Sequence, residues 1–582
     1  MTAPSSTTRR STTGAAGVAC FVVGLVVAVC AAVLARTANL ELDRVPLGSL
    51  EYGSRWIIDE PEGAVILRRV ELTLREGRAP VADNGLGFES SSPTPPAPFF
   101  EGLLARTFAL THPDSLESPG HEAELESFAI LWTTAWVIAA IAALHGLIWS
   151  VTRGASLAWR VLVAPLGSIL FVLLAVLTPE GGQGLTGFAT AIGSLPAAVA
   201  LSGSGLVLAI HAAEVRERTA SSIGAMGAGC FGGLALLCHP AGWAGIVGAS
   251  WVMLRALSRG SNGSVPGAWI PGTLVHAAAA VTIFLPAERY GVRADFRVLS
   301  LSWPALIAVT GALHPLTAAL LMRASRRGVR TALETVSVIA AAGLIGIWVV
   351  EPSSRWANTI EPIALAGACI AVTGLLVGLA GGSEQPRARG VALVGLSLLV
   401  FAMGVPTVAA TESLDRRSNS DHRARRIERV RHLRELRETV VSPGRWDRAR
   451  ALQEWCVLAP PRWSPVVAYH ARLPVHSSNL RGVSDAASET ATSILMAEVT
   501  GETQIELQGE NVGLVVVDRS APANASDRSL WRRGLLNEVG RSTLEMQPLP
   551  TETVESGLRV WRVSGSGVRL TVGHEADGAQ HQ

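Results

Sequence analysis

Lysine does not occur in this sequence, so all 49 basic side chains are arginine. The bias carries no function by itself, yet it means that any phosphate held by a cation here can be gripped by a planar, two-pronged guanidinium. Matched cysteines are lacking too. Cys20, Cys30, Cys230, Cys238 and Cys369 lie in apolar runs and Cys456 stands alone outside them. With no CxxC and no paired spacing, neither a disulfide framework nor a zinc site is indicated. Charge is sparse: 16% of residues are charged and the formal net charge is +2, which argues against a nucleic-acid partner. The apolar runs hold almost no Asp or Glu, and their polar members His145, His211, His239 and His276 are isolated. Ionisable groups inside spans mark ion and proton pathways, so their scarcity counts against a coupled transporter.

Apolar residues are abundant, at 49% of 582. Runs of about 20 residues, the length that crosses a bilayer, recur along the chain and give a polytopic membrane protein rather than one globular core. The first, at 16–34, follows Arg9 and Arg10 and ends in a sequence poorly suited to cleavage, so it reads as an uncleaved anchor over 16–36 with a cytoplasmic N-terminus, residues 1–15. Further spans are expected at 127–150, 158–178, 196–213, 221–237, 240–257, 266–285, 302–322, 331–350, 362–381 and 390–410, about eleven helices in all. With that orientation the arginine-bearing loops around Arg153, Arg216, Arg255, Arg326 and Arg387 all fall inside, as the positive-inside bias requires. The short pair 221–257, meeting at His239-Pro240-Ala241-Gly242, decides the parity of everything after it. The same parity puts the loop 37–126, the loops 286–301 and 351–361, and the tail 411–582 on the outer face, around a multi-helix body at 127–410.

The tail opens on a highly charged stretch, Asp415 to Arg437, in which Ile427, Val430, Leu433 and Leu436 recur at three-residue spacing. That pattern predicts a solvated amphipathic helix whose arginines are surface charge. Beyond it Ala451–Trp455 reads as helix, Cys456–Ala459 as strand, Ser488–Val499 as helix and Gly513–Asp518 as buried strand. Strand, helix, strand is the order of a small α/β domain with a parallel sheet. Leu558–Val563 and Val568–Val572 read as a closing hairpin.

The most informative stretch lies just after the anchor. Asp59, Glu60 and Glu62 precede a short helix in which Val65, Leu67, Val70, Leu72 and Leu74 are apolar and Arg68, Arg69 and Arg75 are basic, up to Gly77. Acids at a helix start favour the macrodipole and need no further role. Yet the run Ile58–Arg69, the turn after Gly77 and the segment Pro93–Leu104 resemble the first external loop of the oligosaccharyltransferase catalytic subunit family, membrane glycosyltransferases of the GT-C fold. In that loop an acid followed by Gly or Pro stands six positions before an Arg, as Glu62-Gly63 stands before Arg68 here, with Glu in place of the family's Asp.

The resemblance implies a polytopic α-helical membrane protein with a C-terminal extracytoplasmic α/β domain. It also implies transfer of a glycan from a polyprenyl-linked donor, in the membrane, to a protein, lipid or polysaccharide acceptor on the outer face. Such transfer needs a divalent metal or fixed positive charge for the departing phosphate, and a carboxylate to position the acceptor. Glu62, with Asp59 upstream, and Glu361 in Thr359-Ile360-Glu361-Pro362, which resembles the family's external Thr-Ile-x-Glu element, are the expected catalytic carboxylates and the ligands of a metal such as Mg or Mn. Arg68, Arg289 and Arg293, with Arg297 beside them, are the expected phosphate contacts. The tail's Pro460-Pro461-Arg462-Trp463-Ser464 and Ala468–Val475 resemble the family's acceptor-reading segment, which makes Trp463, Tyr469 and His470 the expected acceptor contacts. Arg462 and Ser464 replace Asp and Gly of that motif. The family's acidic pair after the third helix is absent: the chain there reads Ala191-Ile192-Gly193-Ser194. Two other readings stay open, a family member that keeps the fold and binds or assembles lipid-linked glycan without transferring it, and an unrelated transporter.

Overall fold

A computed structural model describes residues 7–45, 55–78, 120–151, most of 191–258, 420–439, 455–477 apart from 461–462, 501–518, 546–548 and 558–563, with shorter stretches from 82 to 113, 157 to 172 and 490 to 495. Two compact units emerge. A helical unit holds the described residues of Met1–Glu41 and Ile130–Leu285, and a loop–tail unit holds those of Leu42–Ala129 and Arg417–Gln582.

The anchor helix α1 spans Thr7–Asp43, several residues beyond each end of the apolar run, because no proline lies between Pro4 and Pro46 and the flanking polar residues tolerate helix. Helix α4 spans His121–Val151, after α2 (Pro61–Glu76) and α3 (Phe99–Thr111) and the two-residue strands β1 (Ala82–Asp83) and β2 (Ser92–Pro93). Helices α5 (Leu195–Glu214), α6 (Arg218–Cys238) and α7 (Trp243–Ser258) follow. The pair at 221–257 is therefore two helices, with an extended residue at His239 ending α6. Ser221 Oγ donates to the Ala212 carbonyl at 2.7 Å, joining the start of α6 to the end of α5. Four described helices, Ala15–Asp43, His121–Ser150, Leu195–Ala213 and Thr219–Cys238, are long and apolar enough to cross a membrane, and they support a place for the chain in one. The spans expected from 266 to 410 lie outside the described residues.

In the loop–tail unit α2 is buried over Gly63–Leu72 and stops at Gly77, whose φ of 69° closes the helix in the left-handed region. Helix α8 (Ser420–Thr439) is the charged helix that opens the tail. Then come β3 (Cys456–Leu458), α9 (Ser464–His470), α10 (Gly501–Gly509), β4 (Val512–Asp518), β5 (Met546–Pro548) and β6 (Leu558–Val563). The sheet has the order β3-β4-β6-β5, with β3 and β4 parallel and β6 antiparallel to both β4 and β5. The helix-bridged parallel pair is as the apolar runs predict; Ala491, Ile494 and Leu495 cover it together with Cys456, Leu458, Val512 and Val515. Strand β6 pairs with earlier strands, and Val568–Val572 lies outside the described residues.

The charged helix departs from its sequence reading. Arg426, His432 and Arg434 of α8 are buried, because each arginine meets carboxylates contributed by residues more than 300 positions earlier. The sheet edge is tied to the first loop as well. Val475 donates its N–H to the Gly85 carbonyl at 3.0 Å. Gly85 is a glycine for a steric reason: a Cβ there would sit 1.8 Å from Arg68 Nη2. Gly85→Ala is expected to cost about 1–3 kcal/mol, as overpacking does, read as a lower melting temperature of the purified chain; an unshifted melt would mean that Arg68 has room to move.

Candidate active site

The acid-bearing helix starts abruptly. Glu60 is extended (φ −93°, ψ 130°), Pro61 occupies the first turn, and the first-turn acid is Glu62. The Pro favours that extended residue before it, and Ala64 N–H closes the first turn on the Glu60 carbonyl at 3.0 Å. Glu62 is half-buried, and its negative charge suits the helix N-terminus.

Asp59 lies in an arginine fork. Arg426 Nε and Nη2 donate to its two carboxylate oxygens at 2.7 and 2.6 Å, and Arg426 Nη1 donates to Asp43 at 2.8 Å. The preceding carbonyl, of Ile58, accepts from His470 Nε2 at 2.6 Å. Since a carbonyl only accepts, Nε2 carries the proton and Nδ1 is left to receive Arg434 Nε at 3.4 Å. The imidazole is thereby held neutral: burial first, and the Arg434 charge second, lower its pKa from 6.5 to about 3.

That shift makes stability pH-dependent in a definite direction. Between pH 6.5 and about 3 the unfolded chain takes up a proton at His470 that the folded chain does not, so stability falls as pH falls, by about 1.4 kcal/mol per pH unit. His470→Gln, which keeps an N–H for Ile58 and an acceptor for Arg434, is expected to flatten that part of a melting-temperature profile between pH 7 and 4. An equal slope in wild type and variant would contradict the assignment.

Tyr469, next to His470, is buried and its hydroxyl donates to Glu126 at 3.2 Å, the same carboxylate oxygen that takes Arg434 Nη2 at 2.8 Å. Burial, then the Glu126 charge, raises the phenol well above its usual pKa. Arg472 bridges Glu71 of α2 and Glu122 of α4, the second at 2.7 Å, and lies 5.1 Å from the centre of the Tyr469 ring. Its φ of 58° is in the left-handed region, a strained conformation for a side-chain-bearing residue that persists only where the surroundings hold it. Arg437 of α8 reaches Glu122 at 2.6 Å.

Arg68 points into the unit. Its Nε and Nη2 form a fork on Asp83 at 2.6 and 2.8 Å, and its Nη1 donates to the Ala468 carbonyl of α9 at 3.0 Å. Arg69 faces Glu101 at 3.4 Å, and burial raises the Glu101 pKa against the pull of Arg69. Trp463 is half-buried at the start of α9.

The structure thus brings Asp59, Glu62, Arg68, Tyr469 and His470 into one unit. Asp59 and Arg68 each pair with an opposite charge from within the chain, and Tyr469 and His470 are committed to the interior. Glu361, Arg289, Arg293 and Arg297 lie outside the described residues. In the helical unit the segment that lacks the acidic pair holds a cation: Arg36 Nη2 donates to the Ala191 carbonyl at 2.7 Å, and Arg36 is buried. Neither Arg36 nor Arg426 stands out in the sequence, since one closes an apolar run and the other sits among many arginines.

Of the carboxylates expected to hold a metal, Asp59 is turned to a guanidinium and Glu361 lies outside the described residues. No three His, Cys, Asp or Glu side chains among the described residues lie close enough together to share an ion, and both Asp59 oxygens face a guanidinium, which repels a cation.

No protein-family model and no curated protein matches the chain. Solved structures do. The oligosaccharyltransferase AglB of Archaeoglobus fulgidus, in complex with an inhibitory peptide and a dolichol-phosphate, matches at a TM-score of 0.52 and 12% identity over 95% of this chain and 75% of its own. The apo form of the A. fulgidus enzyme matches at 0.54 and 12%, over 96% and 75%. A complex of it with Zn and sulfate matches at 0.51 and 13%, over 90% and 72%. At such identity the likeness is one of fold, and the resemblance read from the first loop and tail holds at that level.

Proposed function

We propose that the chain is a membrane glycosyltransferase that moves a glycan from a polyprenyl-linked donor to an acceptor at the extracytoplasmic face. The observation that carries the reading is the oligosaccharyltransferase fold over nearly the whole chain, at 95% coverage. The acid-bearing loop and the tail, which join in one unit, lend it support. The archaeal structure with dolichol-phosphate supports a polyprenyl phosphate as the lipid moiety.

In this reading the bond between the sugar's anomeric carbon and the donor phosphate oxygen breaks, and a bond from the acceptor's nucleophilic atom to that carbon forms. Glu62 orients the acceptor and takes its proton, with Glu361 as the second carboxylate. The phosphate leaves as an anion, and the arginines at 289 and 293 meet its charge. Half-buried Trp463 offers an apolar surface for the acceptor.

A second reading draws on a specific observation. Asp59 is neutralised by Arg426, and Ala191–Ser194 holds no carboxylate, as expected of a protein that binds or assembles lipid-linked glycan without transferring it. Lipid-linked glycans and glycoconjugates compared in cells with and without the chain separate the two. Transfer predicts that donor accumulates and one glycoconjugate disappears when the chain is removed. Unchanged glycoconjugates and donor pools would overturn both readings, and a depleted donor pool would favour the binding role.

A further inference from the structure

We propose that Arg426 is a positioning residue: from the tail it fixes the segment that launches α2 and so sets where Glu62 stands. The inference rests on the glycosyltransferase reading only for what Glu62 does there.

The guanidinium, 2% exposed, joins two acids that the chain keeps apart: Asp43, which ends α1, and Asp59, which stands two residues ahead of Pro61. The backbone repeats the link, since Ile57 N–H donates to the Asp43 carbonyl and Val45 N–H to that of Arg55, each at 2.8 Å. Val45 and Ile57 pack with Val430, one turn along α8 from Arg426, and with Ile427 next to it. His470 then takes the Ile58 carbonyl. The Ile57 N–H, the Ile58 carbonyl and the Asp59 carboxylate are thus all anchored, and two of the anchors belong to the tail.

Beyond Asp59 the backbone has little freedom. Pro61 fixes its own φ and favours the extended form of Glu60, so the direction of the first turn of α2 is inherited from Asp59, three residues before Glu62. A displaced Asp59 displaces the Glu62 carboxylate with it. Asp59 is thereby a geometric anchor for the Glu62 carboxylate. The fork matters as much as the charge: an ammonium is a point charge and cannot present the flat pair of donors that Asp59 receives while also reaching Asp43.

The test uses the purified full chain in a lipid nanodisc, with Arg426→Lys and, as a second variant that keeps the Arg426–Asp43 pair, Asp59→Asn. Two measurements are made: amide hydrogen exchange across 57–64, and glycan transfer from a polyprenyl-linked donor. Both variants are expected to exchange about tenfold faster over 57–64 with α5 and α6 unchanged. Turnover of the folded fraction is expected to fall on the order of 10²-fold at a donor KM within about threefold of wild type, as misplacement of a reacting group does. Unchanged exchange would overturn the proposal, as would faster exchange with wild-type turnover, the outcome of a purely structural pair. Should the wild type itself transfer nothing, the glycosyltransferase reading falls, and the exchange data alone decide whether Arg426 anchors this segment.

Discussion

Arg472→Ala is expected to destabilise the loop–tail unit by about 3–5 kcal/mol, the cost of removing one partner from a buried ion pair. The size reflects what is left behind. Arg472 and Glu71 are each 1% exposed at the side chain, and Glu122 is 14% exposed. Without the guanidinium, Glu71 stays buried with only the solvent-screened, 44%-exposed Arg75 to offset its charge, while Glu122 keeps Arg437. The stacking of the guanidinium over Tyr469 goes too. Arg472→Lys restores charge but not the two-acid bridge, so it is expected to recover part of the loss. Arg472→Gly offers a further comparison: it relieves the left-handed backbone at φ 58° yet forfeits the bridge, and so should melt near the alanine variant. A melting temperature within experimental scatter of wild type for Arg472→Ala would mean that water reaches these acids.

The second large effect is chemical. Glu62→Ala is expected to reduce glycan transfer by about 10²–10⁴-fold, the range that general acid–base groups supply. The fold should hardly notice. Glu62 is half-buried, and the loss of one acid from a helix N-terminus costs about 0.3–1 kcal/mol. The informative pattern is therefore inactivity with a preserved melt, the converse of Arg472→Ala. Glu62→Gln separates the roles, since the amide keeps the size and can still orient an acceptor but does not take a proton. Equal loss in both variants assigns the residue to proton transfer, and a milder loss in the amide assigns it to positioning.

The local features of the fold were legible. The short helix after the acids, its stop at Gly77, the two helices on either side of His239, the parallel strands at Cys456 and Gly513: each is written in a contiguous window as apolar periodicity, a run of β-branched residues or a breaker. Burial of charge was not. Arg426, Arg434 and Arg472 look like the many other arginines, and the carboxylates that bury them come from positions such as Asp43 and Glu126, 383 and 308 residues away. Nothing in either window signals the other. The same limit explains the site. The spacing of Glu62 and Arg68 carries the loop's resemblance, but whether a given cation faces a ligand or an internal acid depends on Asp83, Gly85 and Ala468, which the turn and the tail bring to Arg68. Tyr469 and His470, the expected acceptor contacts, are interior because α9 is buried along its whole length.

The most direct test is transfer by the purified full-length chain, reconstituted in lipid with a polyprenyl-linked glycan extract and a crude acceptor fraction from the same cells. A glycosyltransferase working through Glu62 predicts that glycan leaves the lipid carrier and appears covalently on an acceptor with the wild-type chain, and that Glu62→Ala, equally folded, abolishes it. A folded wild-type chain that leaves every polyprenyl-linked glycan unconsumed, or an alanine variant that transfers as well as wild type, would contradict it.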